Sequence, residues 1–260
     1  MNKTRIEWTE YTWNPITGCL KGCEYCYARR IATRFAGSSA FPKGFEPTFH
    51  PERLSEHFPK KPSKIFTCSM GELFGDWLPA WQVEDVFATI RAYPQHTFQL
   101  LTKQPQNLIK WSPFPENVWV GVSATVPEQI RLAFKHLHYD VQATVKFVSF
   151  EPMLGMVLPF RGEYFTESGV NWIIIGAQTP YSEKTAPREY WVRELVEVAD
   201  RACVPVFLKD NIMPILRTKE GWTPALYVSA RDSNGTEYLR HEFPEKFHTL
   251  PNLEKELKSE

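Results

Sequence analysis

The sequence predicts an α/β protein built as a full or partial parallel β/α barrel, and three observations predict it. Short runs of β-branched and aromatic residues recur along the chain, each bounded by turn residues. These runs are near-continuously apolar rather than alternating, as strands covered on both faces of a parallel sheet must be. Stretches with helical periodicity lie between several of them, and strand–helix alternation means βαβ units with right-handed crossovers. An open doubly wound sheet is the runner-up architecture.

The elements follow in order. A first strand is expected near Tyr11 to Ile16, then KIFTCS (64–69), TFQLLT (97–102), NVWVGVS (117–123), VKFVSF (145–150), NWIIIG (171–176) and VPVFLK (204–209). Between them Val83, Val86, Phe87 and Ile90 repeat at helical spacing, as do Ile130, Ala133, Phe134 and Leu137 behind Pro127. Trp191, Leu195, Val196 and Ala199 form a third stripe after Pro187. Two segments break the rhythm. Residues 36–64 are rich in Pro, Gly and Ser and very long for a connection, which marks a functional or mobile loop or a missed element. From about 216 the alternation stops, so a barrel over 1–215 is expected to carry an irregular extension over 216–260, packed on it and ending in the charged tail EKELKSE.

Bulk properties narrow the function classes. The chain has 260 residues, 43% of them hydrophobic, enough for one large core. Thirty basic and thirty acidic residues cancel, so no global field draws it to nucleic acid or to a membrane. MNKTRIEWTE has no apolar run behind its basic residues, and no stretch approaches the roughly 20 apolar residues of a membrane span. A cytoplasmic protein is expected, where clustered cysteines bind metal or do chemistry more often than they pair as disulfides.

In α/β folds the ligand lies at the carboxyl ends of the strands. Here those ends carry Ser69-Met70-Gly71-Glu72, Thr102-Lys103, Ser123, Glu151-Pro152, Gly176-Ala177-Gln178 and Lys209-Asp210 in turn. Polar residues must end any strand, but six ends that mix carboxylate, ammonium and hydroxyl suit a zwitterionic ligand. The loop GCLKGCEYCYARR (18–30) follows the first expected strand and sits on the same face.

That loop holds Cys19, Cys23 and Cys26, three of the five cysteines in the chain. A disulfide would leave one thiol over. A zinc ribbon needs a second CxxC pair, which is absent; Cys68 and Cys203 are isolated, on or beside apolar strands, and read as core thiols. Zinc on three cysteines and a distant histidine stays open, although His136 and His138, two apart on a helix, point in different directions. An iron–sulfur cluster also stays open: three thiolates leave one iron free for a further ligand, and Gly18 and Gly22 let the backbone curl around it.

Cys19-x3-Cys23-x-Tyr25-Cys26, with an aromatic before the last cysteine, resembles the signature of the radical S-adenosylmethionine superfamily. The resemblance implies a (β/α)6-type partial barrel and a [4Fe-4S] cluster on Cys19, Cys23 and Cys26. It further implies that S-adenosylmethionine chelates the fourth iron and is cleaved reductively to a 5′-deoxyadenosyl radical that abstracts hydrogen from a substrate. WNPITGC, the loop holding HPERL, IFTCSMGELF, PQHTFQLLTKQP, NVWVGVS, VKFVSFEPMLG, NWIIIGAQT and PVFLKDN resemble, in order over roughly residues 8 to 212, a phage-associated radical-SAM-like family named for phage gene products and its three-cysteine motif.

By that resemblance Ser69, Met70, Gly71 and Glu72 occupy the turn whose carbonyls hold the amino group of S-adenosylmethionine. Lys103 is similar to a lysine that pairs with its carboxylate in DNA-photoproduct-repair lyases. Ser123 stands where those lyases contact the ribose, and Glu151 and Gln178 line the adenosyl or substrate side. Many family members have a longer insert between the first two cysteines, and Gly-Gly-Glu where this chain has Gly176-Ala177-Gln178; the glutamine removes a carboxylate.

Arg29, Arg30 and Arg34, with Lys60, Lys61 and Lys64, suggest a modest basic patch near the mouth, or simply a solvated helix face and a charged loop. Likeness to the lyases points to a nucleic acid or nucleotide substrate, by analogy. With two further cysteines there is no second cluster, so a flavodoxin- or ferredoxin-type protein is the expected electron donor. The competing class is a non-catalytic iron–sulfur or zinc-binding interaction protein on the same scaffold.

Overall fold

The structure is a computed structural model that describes residues 1–156 and 159–244, so the expected tail EKELKSE lies outside the described residues. Strand β1 (Asn2–Lys3) pairs antiparallel with β2 (Tyr11–Trp13), and β3 (Ile16–Thr17) pairs with β4 (Thr48–Phe49) inside the long 36–64 segment. Then come β5 (Lys64–Thr67), β6 (Thr97–Thr102), β7 (Val118–Ser123), β8 (Val145–Phe150), β9 (Trp172–Ile175) and β10 (Val206–Leu208). The main sheet runs β1-β2-β5-β6-β7-β8-β9-β10, and every pair after the first is parallel. Each parallel strand lies beside the one before it. A doubly wound sheet reverses its order at a switch point, and this one does not, so the winding is that of a partial barrel.

Helices α1 (Tyr27–Arg34), α2 (Ala80–Ala92), α3 (Pro127–Tyr139), α4 (Glu163–Ser168), α5 (Glu189–Arg201) and α6 (Met213–Leu216) complete the units. The periodic residues of α2 and α3 are the ones buried there, and in α5 Val192 and Val198 join Leu195, Val196 and Ala199. They meet one face of the strands, where Ile65, Leu100, Val120, Val148, Ile173 and Leu208 share a single core cluster with them. Alternate residues point the other way. Phe66, Trp119, Phe147, Trp172, Ile174 and Phe207 form a second cluster that fills the inner face. Gly121 lies in this layer because a Cβ there would stand 2.2 Å from the Phe147 ring. Each large side chain buried there contributes about 1.5–3 kcal/mol, so this inner layer is a packed part of the core.

The two ends of the described chain cover the gap between β2 and β10. Trp8 packs on Phe66 with ring centroids 4.7 Å apart, and its carbonyl accepts from Gln99 Nε2 at 3.2 Å. On the other side the chain forms a hairpin, β11 (Val228–Arg231) with β12 (Glu237–Leu239), and then runs antiparallel along β10. There the Leu208 N–H donates to Arg240 O at 2.7 Å and the Glu242 N–H to Val206 O at 3.2 Å. Among the described residues no helix is long and apolar enough to cross a membrane.

Candidate functional site

Along the inward positions of β6, β7, β8 and β10, apolar residues give way to polar ones towards the carboxyl end: Leu101 to Lys103, Gly121 to Ser123, Phe147 to Ser149 and Glu151, Phe207 to Lys209. These ends open into a cavity of about 690 Å³. Cys19, Cys23 and Cys26 line it together with Ser69, Gly71, Glu72, Lys103, Ser123, Glu151 and Gln178. Met70 is outside the lining; its carbonyl accepts from the Gly18 N–H at 2.9 Å.

The cysteine loop is built on backbone. After β3 the chain turns at Gly18, where φ is +84° and a Cβ would meet Glu46 O at 2.3 Å. Gly18 and Gly71 form a parallel bridge, with the Glu72 N–H donating to Gly18 O at 3.2 Å, and a Cβ on Gly71 would lie 2.8 Å from Ile16 O. The Cys19 N–H donates to Phe45 O at 3.1 Å, so the 36–64 segment packs against this loop. Gly22 turns the chain again at φ +79°. Cys26 caps α1, its Sγ accepting the Arg29 N–H at 3.3 Å, and Cys19 Sγ accepts the Lys21 N–H at 3.3 Å. Burial pushes the Cys19 thiol up to about 11, against the pull of the Lys21 N–H. Tyr25 anchors the loop to the far wall through a 3.3 Å hydroxyl contact with Thr125.

The turn after β5 is braced from several sides. Asn14 Oδ1 accepts from the Met70 N–H at 2.8 Å and from the Ser69 hydroxyl at 3.2 Å, and the Tyr27 hydroxyl donates to Ser69 O at 2.6 Å. Glu72 is buried and takes three donors, the Thr102 hydroxyl at 2.7 Å and the N–H groups of Lys103 and Phe74 at 3.0 and 3.1 Å. Burial still holds its carboxyl above the usual range, against the pull of those bonds. Its acceptor capacity goes to tying β5 to β6.

Lys103 donates to Ser123 Oγ, and its ammonium stands 5.7 Å from the Tyr25 ring centroid. Burial lowers its pKa, which the nearby thiols and carboxylates oppose without cancelling. Opposite, Lys209 is paired with Glu151 and with Glu7, the latter at 3.6 Å. Burial disfavours that charge, but the two carboxylates outweigh it and raise the ammonium's pKa. Asn211 clamps the backbone of Ala177 from both sides, at 3.0 and 2.8 Å, and Arg30 of α1 reaches across to Thr179 O.

Several expectations need correction. Cys68 is buried in the outer core, where burial pushes its thiol up to about 12, but Cys203 is exposed in the turn after α5. The basic patch divides: Arg30 lines the cavity, whereas Lys64 begins β5 and so lies at the other end of the barrel, over Phe243. His136 bonds Asp140 while His138 bonds Glu167 O, and neither lines the cavity. Glu7, Asn14 and Asn211 went unread as site residues. Their roles arise from contacts 34 to 203 residues apart in sequence, although Asn14 stands inside the quoted WNPITGC.

A cluster's fit rests on the donor set. Three thiols share one loop and one cavity, two accept backbone N–H groups, and the glycine cradle leaves no room for a Cβ at Gly18. Among the described lining residues there is no histidine, and no group of three or more His, Cys, Asp or Glu is placed to hold a single metal ion. Three thiols on one loop are a donor set that fits thiolate ligation of a cluster.

A family model described as "Protein of unknown function (DUF5131)" matches residues 3–216. No curated protein matches the chain. Spore photoproduct lyase complexed with dinucleoside spore photoproduct is similar in structure, with 9% identity, TM-score 0.45, and coverage of 77% of this chain and 62% of the lyase. A lyase mutant with bound AdoMet and the same dinucleoside gives 11% identity, TM-score 0.43, and coverage of 77% and 63%. This chain therefore spans about three fifths of the lyase's length.

Proposed function

The chain belongs to the family described as Protein of unknown function (DUF5131), and we propose that it is a radical S-adenosylmethionine enzyme of a phage-associated type. One observation carries this reading: Cys19, Cys23 and Cys26 face the same cavity as Lys103, Ser123 and Glu151. The three cysteines would hold a [4Fe-4S] cluster. With S-adenosylmethionine bound, that cluster supplies one-electron cleavage of the sulfonium for hydrogen abstraction.

The chain's own residues bind and orient. Lys103 is bonded through its ammonium to the neutral Ser123 hydroxyl and is partly buried, so a cofactor carboxylate beside it relieves the cost of its charge. Ser123, against Glu151 O at 3.3 Å, is placed for a ribose hydroxyl. The Ser69 to Glu72 turn offers backbone carbonyls to an amino group. That of Ser69, which lines the cavity, already accepts one bond from the Tyr27 hydroxyl and has a second lone pair free, and the Glu72 carboxylate keeps the turn in place. Glu151 and Gln178 face the adenosyl and substrate side, and the Arg30 to Thr179 contact narrows the entrance against water. A nucleotide or nucleic acid is the substrate class, and a flavodoxin- or ferredoxin-type protein is the donor.

The test is anaerobic iron–sulfur reconstitution, followed by dithionite and S-adenosylmethionine. Production of 5′-deoxyadenosine, at least tenfold lower in Lys103→Ala, is expected. A stable cluster without product would instead make this a non-catalytic iron–sulfur protein, and stoichiometric zinc in its place would overturn the cluster itself.

A further inference from the structure

The helix that follows the cysteine loop carries an apolar stripe that starts at the cavity mouth, where Tyr27 and Ile31 belong to the lining, and runs outward to Phe35. Tyr27, Ile31 and Phe35 are 38, 40 and 51% exposed, and Leu20, in the loop itself, is 60% exposed. The first three recur every four residues, so they share one face. Together these are four of the twelve large hydrophobic residues exposed among the described residues, gathered within sixteen positions. The opposite face of α1 buries only Ala28 and Ala32, which seat the helix closely on the barrel.

The stripe has a basic rim. Lys21 and Arg30, which line the cavity mouth and donate to Lys103 O and Thr179 O, and Arg34, beyond it, are exposed beside the stripe; α1 itself holds three arginines and no acid, and Glu24 is the single acidic residue between 18 and 37. The Arg34 guanidinium lies 5.6 Å from the Phe35 ring centroid, so charge and apolar surface form one patch. The patch is also close to the thiols. Cys26 caps α1, and at 1.5 Å per residue Phe35 is about 14 Å further along the axis.

We propose that this face of α1, from Leu20 to Phe35, is the docking surface for an acidic one-electron carrier protein. The proposal rests on the radical-enzyme reading above. A second copy of the chain is the poorer occupant, because an isologous contact would set Arg30 and Arg34 against their own mates. A nucleic acid would leave Leu20 and Ile31 without partners, since such interfaces are mainly polar. A small apolar patch rimmed by charge is what a transient redox encounter uses. The chain also needs an outside electron source: beyond the loop only Cys68, in the core, and Cys203, on the surface, remain. In the docked complex one electron leaves the reduced carrier and enters the cysteine-held site, with no bond made or broken.

The experiment titrates the reconstituted chain into a fluorescently labelled, reduced acidic flavodoxin and follows anisotropy. Arg34→Glu is expected to weaken binding about tenfold at low salt and progressively less as salt rises. Phe35→Ser is expected to weaken it about fivefold at every salt concentration. Neither residue lines the cavity, so iron content and dithionite-driven product should stay at the wild-type level in both. The docking proposal fails if wild type makes product with dithionite yet binds no flavodoxin, or if both variants bind it normally. It fails equally if the two substitutions abolish binding of a single-stranded oligonucleotide and spare the flavodoxin. A wild-type chain that takes up no iron sinks the radical reading first, and the docking surface with it.

Discussion

The two walls of the cavity are held by different physics. The wall of the cysteine loop and the Ser69 to Glu72 turn is a backbone construction, in which Gly18 and Gly71 approach neighbouring main chain too closely for any Cβ. The wall made by the ends of β8, β9 and β10 is held by side chains, namely Lys209 with Glu151 and Glu7, and Asn211 with Ala177. The first geometry is set mainly by close backbone packing, with the buried Glu72 carboxylate tying the turn to β6. The second is electrostatic and adjustable.

The largest expected effect tests the backbone wall's purpose. Alanine at any one of Cys19, Cys23 or Cys26 should abolish stable iron binding after reconstitution, read by iron analysis and visible absorbance; iron retained at the wild-type level would break the assignment. Next, Gly18→Ala should cost roughly 3 kcal/mol in denaturant unfolding, because positive φ and a backbone clash coincide, whereas Gly22→Ala, strained but in open space, should cost about 1 kcal/mol. Equal losses would mean that the loop is not pinned at Gly18.

On the other wall, Lys209→Met leaves two part-buried carboxylates facing each other. Allowing for their residual exposure, a loss of about 2 kcal/mol is expected, shrinking in high salt. The smallest effect compares the two lysines in the chain without cluster. Lys103 has a folded pKa below its ordinary 10.5, so the unfolded state binds more proton in the window just beneath that value, and stability rises with pH there. Lys209 has a folded pKa above 10.5, so its contribution is fully present below that value and is lost as pH climbs past it. Unfolding free energies across the alkaline range should therefore lose the rising slope in Lys103→Met and the falling slope in Lys209→Met. If neither slope changes, the two walls do not differ electrostatically.

Much of this was legible in the amino-acid order. TFQLLT and VKFVSF coincide with β6 and β8, and the helical stripes of α2 and α3 are the residues those helices bury. The strand-end residues read from the sequence all line the cavity except Met70, Gly176 and Asp210. The long 36–64 segment was not legible, because a two-residue strand paired with β3 and a short 3₁₀ turn at Pro51–Ser55 leave no periodicity to read. Nor was the exposure of Cys203, which depends on the chain turning at positive φ after α5.

By itself, the order of residues determined the main parallel strands, the apolar stripes of α2, α3 and α5 and the three-thiol loop, since each is encoded by local spacing; the choice of barrel-like winding over a doubly wound sheet came from the structure. Only tertiary structure decided that Glu72 is bonded to β6 while Glu151 pairs with Lys209, and that Glu7 closes on Lys209 and Asp210 from the far end of the chain. Both carboxylates end apolar strand runs and read alike in sequence. Which donors reach each of them depends on the approach of distant segments, and that approach is fixed by the packing of the whole sheet.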